Sequence, residues 1–165
     1  MEPRQLADGV LATIVDAAEQ VSDEFDRWGE RYVRGPGLYF LLVEGEASTY
    51  TDPMGANRWP VEQCASVTDD FDAFVETAKA VGTTRDGAVV VGTDGTIDEQ
   101  MVRLHDLRSN DGRSHPQVQY EDWMGTRHMS AIEASVRSTV VATVTLSEED
   151  GSVSVFVDGT TREFG

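Results

Sequence analysis

Three short segments of the chain carry side chains suited to a phosphate-bearing ligand. The most informative is residues 125–130, whose sequence is GTRHMS and whose Gly-Thr turn opens a predicted helix. A helix N-terminus presents free backbone N–H groups and the positive end of the helix dipole, so it attracts anions. Arg127 adds a planar guanidinium that suits phosphate oxygens, and the neighbouring hydroxyls and imidazole add further donors. This segment predicts an anion site; the alternative is a capped helix with Arg127 in a surface ion pair.

The other two segments are common when taken singly. Residues 86–88, Asp-Gly-Ala, open a predicted strand with an acid followed by two small residues that allow a ligand to approach closely. Asp-Gly is also frequent in ordinary turns. Residues 147–149, Ser-Glu-Glu, follow directly after an apolar strand, as in a solvated hairpin turn. These two segments become specific only in combination with the first.

Other familiar catalytic patterns are missing from the sequence. There is no G-x-x-x-x-G-K-[ST] or G-x-G-x-x-G loop, and Lys79 falls on a predicted helix. No histidine spacing indicates a zinc site. A thiol catalyst that combines Cys64 with His105, His115 or His128 has no support in the sequence, which favours a packing role for the cysteine.

The segments belong to a strongly acidic chain. Its 165 residues (18.1 kDa) include 13 Lys+Arg and 30 Asp+Glu, which gives a formal net charge of −17. The length predicts one domain over residues 1–165. The charge argues against nucleic-acid partners, which need a basic face, and against anionic membranes. The single cysteine and the absence of a signal-peptide pattern or a bilayer-spanning apolar run predict a cytoplasmic protein.

The acidic residues are spread along the chain, and Lys79 is the only lysine. Such a charge destabilises a small domain by self-repulsion in dilute salt, whereas the Debye length falls to about 3 Å at about 1 M salt. Acid excess with scarce lysine is typical of proteins from salt-accumulating halophilic archaea, so we predict a halophilic protein. The alternative, an ordinary acidic protein, would not usually avoid lysine.

The hydrophobic pattern predicts an α/β (α+β) fold with a mixed central β-sheet flanked by helices. A long helix is expected over residues 5–33, with Trp28 and Tyr32 continuing its apolar stripe, and residues 44–64 are expected to be irregular. The other expected elements are a buried strand at 38–43, a helix at 70–81, a buried strand at 86–91, a polar loop at 105–121, a helix opening at 125, a central strand at 139–146, a turn at 147–151, a half-exposed strand at 152–157 and a short C-terminal strand.

The order of the three segments resembles the diadenylate cyclase (DAC) domain family. That family has a D-G-A motif, found here at residues 86–88, and a G-T-R-H-R motif, found at residues 125–129 with one departure. An S-E-E turn often follows, as at residues 147–149. The leading helix, the first strand and the helix before the D-G-A motif also fit the layout of that domain. The resemblance covers most of the chain and, with the charge pattern, predicts a haloarchaeal member of the family.

The resemblance implies an enzyme that joins two ATP molecules into cyclic di-AMP with release of two pyrophosphates. Each domain holds one ATP, and two domains face each other so that the 3′-hydroxyl of each ATP attacks the α-phosphorus of the other. Nucleotidyl transfer depends chiefly on positioning and charge stabilisation. Mg²⁺ or Mn²⁺ is expected because it offsets the triphosphate charge. The implied partners are ATP and a second copy of the chain, in at least a transient face-to-face dimer.

The resemblance also assigns roles to individual residues. Asp86 would lie at the ribose 3′-hydroxyl and, with Glu148, support the metal. Asp86, Arg127 and His128 are the implied catalytic residues. Leu104 matches, with a one-residue gap, an apolar position that stacks on adenine. The implied nucleotide-binding residues are Gly87, Ala88, Leu104, Gly125, Thr126, Arg127, His128, Ser130 and Ser147.

Two departures from the family pattern keep an alternative open. Met129 stands where the second arginine of the motif normally stands, and a thioether supplies neither its charge nor its bidentate hydrogen bonds. Residues 104–107 depart from the usual Leu-Pro pattern. The alternative is a catalytically weak or inactive ATP-binding module of the same fold. A third possibility, an acidic interaction protein without a ligand, fits the motifs least well.

Overall fold

Three helices and seven strands form the part of the chain that the computed structural model describes, residues 3–105, 118 and 120–162. Within that part, no helix has the length and apolarity needed to cross a bilayer. The expected polar loop at 105–121 lies largely outside the described residues, and His115 with it. In chain order the elements are α1 (Pro3–Glu24), β1 (Leu38–Val43), β2 (Thr51–Arg58), α2 (Phe71–Thr84), β3 (Val89–Gly92), β4 (Gln100–Leu104), α3 (Thr126–Ala134), β5 (Val140–Leu146), β6 (Val153–Val157) and β7 (Thr160–Arg162).

The main sheet has five strands in the order β3-β1-β5-β6-β7. β1 and β3 run parallel and the other neighbours are antiparallel, so the predicted mixed sheet is confirmed. All six residues of β1 are buried. Phe40 lies in a core with α1 and α2, whereas Leu41 lies in a second core with α3. The unbroken apolar run of β1 follows from this covering of both faces.

A second, two-stranded sheet joins β2 to β4. The expectation that residues 44–64 are irregular is therefore wrong for β2, which pairs antiparallel with β4. Its sequence, TDPMGANR, shows no period-two alternation, and its register shifts between Pro53 and Arg58. An isolated bridge between Ala88 and Val102 connects β4 to the segment that precedes β3. The small sheet is thus attached beside residues 86–88.

Helix α1 ends at Glu24, so the expectation that the helix continues beyond it is wrong. The indole Nε1 of Trp28 donates to the carbonyl oxygen of Ser22 at 2.8 Å, and the indole ring meets Phe25 edge to face. Tyr32 has a φ of 64° and is 94% exposed. Trp28 folds back onto the helix end, and its helical spacing in the sequence therefore resembles a continued apolar stripe.

Helix α3 begins at Thr126 with Gly125 as its N-cap, in agreement with the predicted helix opening. It packs on the α3 face of the main sheet, where Ala131 and Ile132 are fully buried. The Thr143 hydroxyl on β5 donates to the carbonyl oxygen of Ala131 at 2.8 Å. This hydrogen bond ties the helix to the central strand of the sheet.

Candidate functional site

A cavity of about 900 Å³ lies among the N-terminus of α3, the end of β5 and the segment before β3. Small-molecule sites in proteins commonly measure about 300–1,000 Å³, so it can accept a nucleotide-sized ligand. The fold thus brings together three segments that are far apart in the sequence, while the role of each residue stays a prediction. Every candidate residue predicted from the sequence lines this cavity: Asp86, Gly87, Ala88, Leu104, Gly125, Thr126, Arg127, His128, Ser130, Ser147 and Glu148.

The segment at 86–88 forms one wall of the cavity. Gly87 has a φ of 102°, a conformation that L side chains rarely adopt. A Cβ at Gly87 would lie 2.7 Å from Met54 Sδ and 3.0 Å from the carbonyl oxygen of Val102. Ala88 exchanges backbone hydrogen bonds with Val102 at 2.7 and 3.0 Å. Glycine is therefore required here both by backbone conformation and by space.

The first turn of α3 supplies backbone donors on the opposite side. Its N-cap, Gly125, has no side chain that could accept a hydrogen bond from the N–H groups of the turn. The first backbone hydrogen bond of the helix is donated by the N–H of Met129 to the carbonyl oxygen of the N-cap, Gly125, at 3.0 Å. The N–H groups of residues 126–128 precede that bond and are among the orphan donors of a helix start. Together with the helix dipole they favour an anion at this end of the cavity.

His128 is held as a neutral ring with one free donor. Its imidazole meets Trp123 at 5.0 Å and Phe156 at 6.3 Å between ring centroids, edge to face in both cases. Burial is the main cause that lowers the pKa of His128. Nδ1 accepts the N–H of Gly125 at 3.3 Å, so the neutral ring carries its proton on Nε2. That Nε2 is buried and has no hydrogen-bond partner among the described residues.

Arg127 lines the cavity with a guanidinium that no described carboxylate pairs at short range. Among the described residues, none forms an ion pair with it within 4.0 Å. Its guanidinium lies against the backbone of Gly37, where a Cβ would collide with Nη1 and stand 3.4 Å from Cζ and 3.2 Å from the Cβ of Glu148. The sequence alternative of a surface ion pair at Arg127 is therefore wrong for the described residues. Gly37 leaves the space that this guanidinium occupies.

The acidic side chains of the site are only partly free for a metal ion. Glu148 pairs with Arg34 at 3.2 Å, and its carbonyl oxygen accepts the N–H of Gly35 at 2.9 Å. Asp86 has an exposed side chain, and its N–H donates to Asn57 Oδ1 at 3.1 Å. Among the described residues, no three His, Cys, Asp or Glu side chains are grouped to hold a metal. Mg²⁺ commonly binds through one or two carboxylates and completes its shell with substrate phosphates and water. The donor set therefore fits an ion that arrives with a phosphate ligand.

Several cavity residues were not predicted from the sequence. Tyr39 and Thr145 lie in apolar strands, where a sequence pattern assigns them to the core. Period-two alternation places both on the face of the sheet that α3 covers, and this was the only sequence signal for a place in the cavity. Trp123, which is 52% exposed, had a clearer signal as a large aromatic in a polar segment. The lining residues outside the predicted segments and residues are Tyr39, Met54, Val102, Arg103, Trp123, Met124, Thr145, Leu146, Asp150, Ser152 and Ser154; Glu149 belongs to the predicted segment 147–149 but has no predicted role of its own.

Met129, the departure from the family motif, is absent from the cavity lining described above. It is 39% exposed on α3, although its neighbours at 128 and 130 both line the cavity. The side chain at 129 therefore points away from the ligand space of its own chain.

A family model described as the DisA bacterial checkpoint controller nucleotide-binding (DAC) domain matches residues 64–161. The match covers more than half of the chain and includes all three segments of the site. The chain belongs to this family. The DAC-family chain therefore has a diadenylate cyclase-like nucleotide-binding fold, as the resemblance in its motifs predicts.

Solved structures match the DAC-family chain over most of its length. One is described as the hypothetical membrane spanning protein from Bacillus cereus, with a TM-score of 0.59 and 19% identity over 92% of this chain and 62% of that one. Another is a double cysteine mutant of DacA from Staphylococcus aureus, with a TM-score of 0.51 and 18% identity over 94% of this chain and 85% of that one. The chain thus spans less than two thirds of the Bacillus cereus protein. No curated protein matches it in sequence.

The contact between Gly37 and Arg127 leads to a prediction. On the prediction that Arg127 binds the phosphates of ATP, the Gly37→Ala variant is expected to bind ATP at least about tenfold more weakly, because its methyl group displaces that guanidinium. Its Tm is expected to fall only slightly, since the atom that must move most is the flexible end of the Arg127 side chain, while the Cβ of Glu148, 3.2 Å away, needs a smaller shift. Calorimetric titration with ATP and a thermal melt measure both quantities.

The matched control for this prediction is Gly9→Ala. Gly9 lies in α1, and a Cβ there would meet no atom within 4 Å. This variant should keep wild-type ATP affinity. Unchanged affinity in Gly37→Ala would show that Arg127 does not need the space above Gly37.

Proposed function

We propose that this DAC-family protein is a diadenylate cyclase, which condenses two ATP molecules into cyclic di-AMP and releases two pyrophosphates. The observation that supports it most directly is the meeting of three distant segments, at 86–88, 125–130 and 147–149, in one nucleotide-sized cavity. The acid, the helix N-terminus with its arginine, and the hydroxyl of Ser147 supply three different functions that nucleotidyl transfer needs.

The proposed pose of ATP follows from the chemistry of the two sides. The triphosphate lies at the N-terminus of α3, where it meets the free N–H groups, Arg127 and Thr126. Ser147 contacts the phosphates from the end of β5. The nucleoside packs against the small residues Gly87 and Ala88, with adenine on the apolar side chain of Leu104. This places the ribose 3′-hydroxyl by Asp86.

Each half-reaction forms one bond and breaks one bond. The 3′-oxygen of one ATP bonds to the α-phosphorus of the other, and the bond from that phosphorus to the pyrophosphate oxygen breaks. Asp86 accepts a hydrogen bond from the 3′-hydroxyl and orients it, and the proton passes to solvent. Arg127 and the N–H groups of α3 stabilise the charge that builds up on the α-phosphoryl oxygens and on the leaving pyrophosphate. A Mg²⁺ or Mn²⁺ ion, held by Asp86 and Glu148, would offset the triphosphate charge when bound.

The reaction needs a second copy of the chain, because one cavity holds one ATP and the product contains two adenylates. We propose a face-to-face homodimer, at least transiently, with ATP as the ligand and neither nucleic acid nor membrane as partner. The net charge of −17 opposes both of those anionic surfaces. A cytoplasmic location supplies the ATP.

The deciding experiment incubates the protein with ATP and Mn²⁺ in molar KCl and separates the products by chromatography. Two ATP molecules yield one cyclic di-AMP and two pyrophosphates, so formation of these products in a ratio of about 1:2 would support the diadenylate cyclase proposal. ATP binding without product at high protein concentration supports the alternative, a catalytically inactive nucleotide-binding module, which Met129 favours. Absence of ATP binding contradicts both.

We also propose that the protein is halophilic. Its Tm is expected to rise from dilute buffer to molar KCl, because salt screens the self-repulsion of a −17 chain. Salt also weakens surface ion pairs such as the two that Lys79 makes with Glu24 and Glu76 at 3.2 Å. Exposed pairs of this kind contribute little to stability, so the repulsion dominates. Equal Tm values in dilute and molar KCl would contradict the proposal.

A further inference from the structure

Two buried side-chain polar atoms in the described part of the chain lack a hydrogen-bond partner, and both belong to residues that line the cavity. They are Nε2 of His128 and Oγ1 of Thr145. An unpaired buried donor or acceptor is costly, so buried polar groups are nearly always paired. Their occurrence at one cavity indicates a partner that comes from outside the chain.

Thr145 lies in a row of hydroxyl side chains that crosses the main sheet. The strand register pairs Tyr39 of β1 with Thr145 of β5, and Thr145 with Ser154 of β6. All three residues line the cavity. The Tyr39 hydroxyl is hydrogen-bonded to Ser130 Oγ of α3 at 3.2 Å, whereas Thr145 is 0% exposed and its hydroxyl is unpaired. Among the described residues, Thr145 therefore offers the cavity lining a buried hydroxyl that has no hydrogen-bond partner.

The neighbouring threonine on the same face of β5 shows what a structural hydroxyl does there. Thr143 is also 0% exposed, but its Oγ1 donates to the carbonyl oxygen of Ala131 at 2.8 Å. Thr143 thus bonds α3 to the sheet, whereas the hydroxyl of Thr145, two residues further along β5, makes no hydrogen bond with the described residues. This contrast separates a packing role from a ligand-binding role.

We propose that the Thr145 hydroxyl donates a hydrogen bond to the phosphates of the bound ligand, in addition to the Nε2–H of His128, for which the family resemblance already implies nucleotide binding. Nε2 is a donor because Nδ1 of the same ring accepts the N–H of Gly125. Phosphate oxygens accept bonds from both donors, and a phosphate group also suits Arg127, one residue before His128 in the first turn of α3. Thr145 is then a ligand-binding residue that no sequence motif marks. The inference rests on the proposed function, since it takes ATP as the ligand.

The test compares Thr145→Val with Thr143→Val, two changes that remove a hydroxyl and keep the branched shape. ATP affinity is measured by calorimetry with Mn²⁺ in molar KCl, and Tm is measured without ligand. Thr145→Val is expected to bind ATP about tenfold more weakly and to melt no lower than the wild type, because it removes an unpaired buried group. Thr143→Val is expected to melt at a lower temperature and to keep most of its ATP affinity. Thr145→Ser should recover binding because it retains the hydroxyl.

Two further probes identify the part of the ligand that Thr145 contacts. Inorganic tripolyphosphate should lose affinity for Thr145→Val as ATP does, whereas adenosine should bind both proteins equally. A loss confined to adenosine, or a Tm for Thr145→Val as low as that of Thr143→Val, would overturn the inference. Wild-type ATP affinity in Thr145→Val would overturn the inference about Thr145 and leave the proposed function intact. Failure of the wild-type protein to bind ATP would overturn both.

Discussion

Replacing Asp86 by asparagine is expected to lower cyclic di-AMP formation at least about 100-fold, the scale on which a lost acid–base or orienting carboxylate reduces turnover. ATP affinity should stay largely intact. An amide of nearly the same size accepts a hydrogen bond but carries no charge for a metal ion or a proton. The side chain of Asp86 is exposed, and the bond to Asn57 uses the backbone N–H, so folding should be unaffected. Product is measured chromatographically, and binding is measured calorimetrically.

The matched control is Asp72→Asn. Asp72 is an exposed acid in the first turn of α2 and does not line the cavity, so the change removes the same charge at a distance from the site. It should form product at the wild-type rate. Wild-type turnover in Asp86→Asn would remove Asp86 from the reaction. An equal loss of ATP affinity and turnover would make Asp86 a binding residue instead.

The second large effect is expected at Arg127. Arg127→Gln should weaken ATP binding by at least about tenfold, because hydrogen bonds from a guanidinium to phosphate are charge-assisted and bidentate. Arg127→Lys should recover only part of the affinity, since an ammonium keeps the charge but not the planar fork. No ion pair within the described residues is lost in either variant, so Tm should change little. Calorimetry and thermal melts measure the two effects.

Met129→Arg is the matched comparison for Arg127. It restores the second arginine of the family motif on a side chain that is exposed and outside the cavity lining. ATP affinity is therefore expected to stay close to that of the wild type. A large gain in affinity would show that residue 129 reaches the phosphates of its own chain. A gain in turnover without a gain in affinity would place residue 129 at the second copy of the chain instead.

The candidate site could be predicted from the sequence where its chemistry is local. A glycine that opens a helix, an arginine in the first turn and an acid before two small residues are signals that lie within a few neighbouring positions. Local chemistry of this kind indicates residues 125–130, whereas residues 86–88 and the remaining site residues are predicted from the resemblance to the DAC family. All of the predicted site residues line the cavity. Thr145 and Tyr39 could not be found so, because a polar atom on an apolar strand is informative only when its surroundings are known.

The fold shows the same division between local and long-range signals. The strand at 38–43 and the helix that opens at 125 were predicted because an apolar run and a glycine N-cap depend on residues close in the chain. The end of α1 at Glu24 was not, since it depends on Trp28 folding back onto Ser22. The strand β2 was missed because only its pairing with β4 makes it a strand.

By itself, the sequence determined the charge of the chain, the mixed sheet with its helices, and the residue types that could bind a phosphate. Tertiary structure alone decided that the three segments share one cavity, that Gly37 makes room for Arg127, and that Thr143 is bonded while Thr145 is free. The physical reason is the distance along the chain over which each kind of interaction acts. Propensity and spacing act between neighbours along the chain, whereas burial, steric contact and hydrogen-bond satisfaction depend on residues that only the folded sheet and helices bring together.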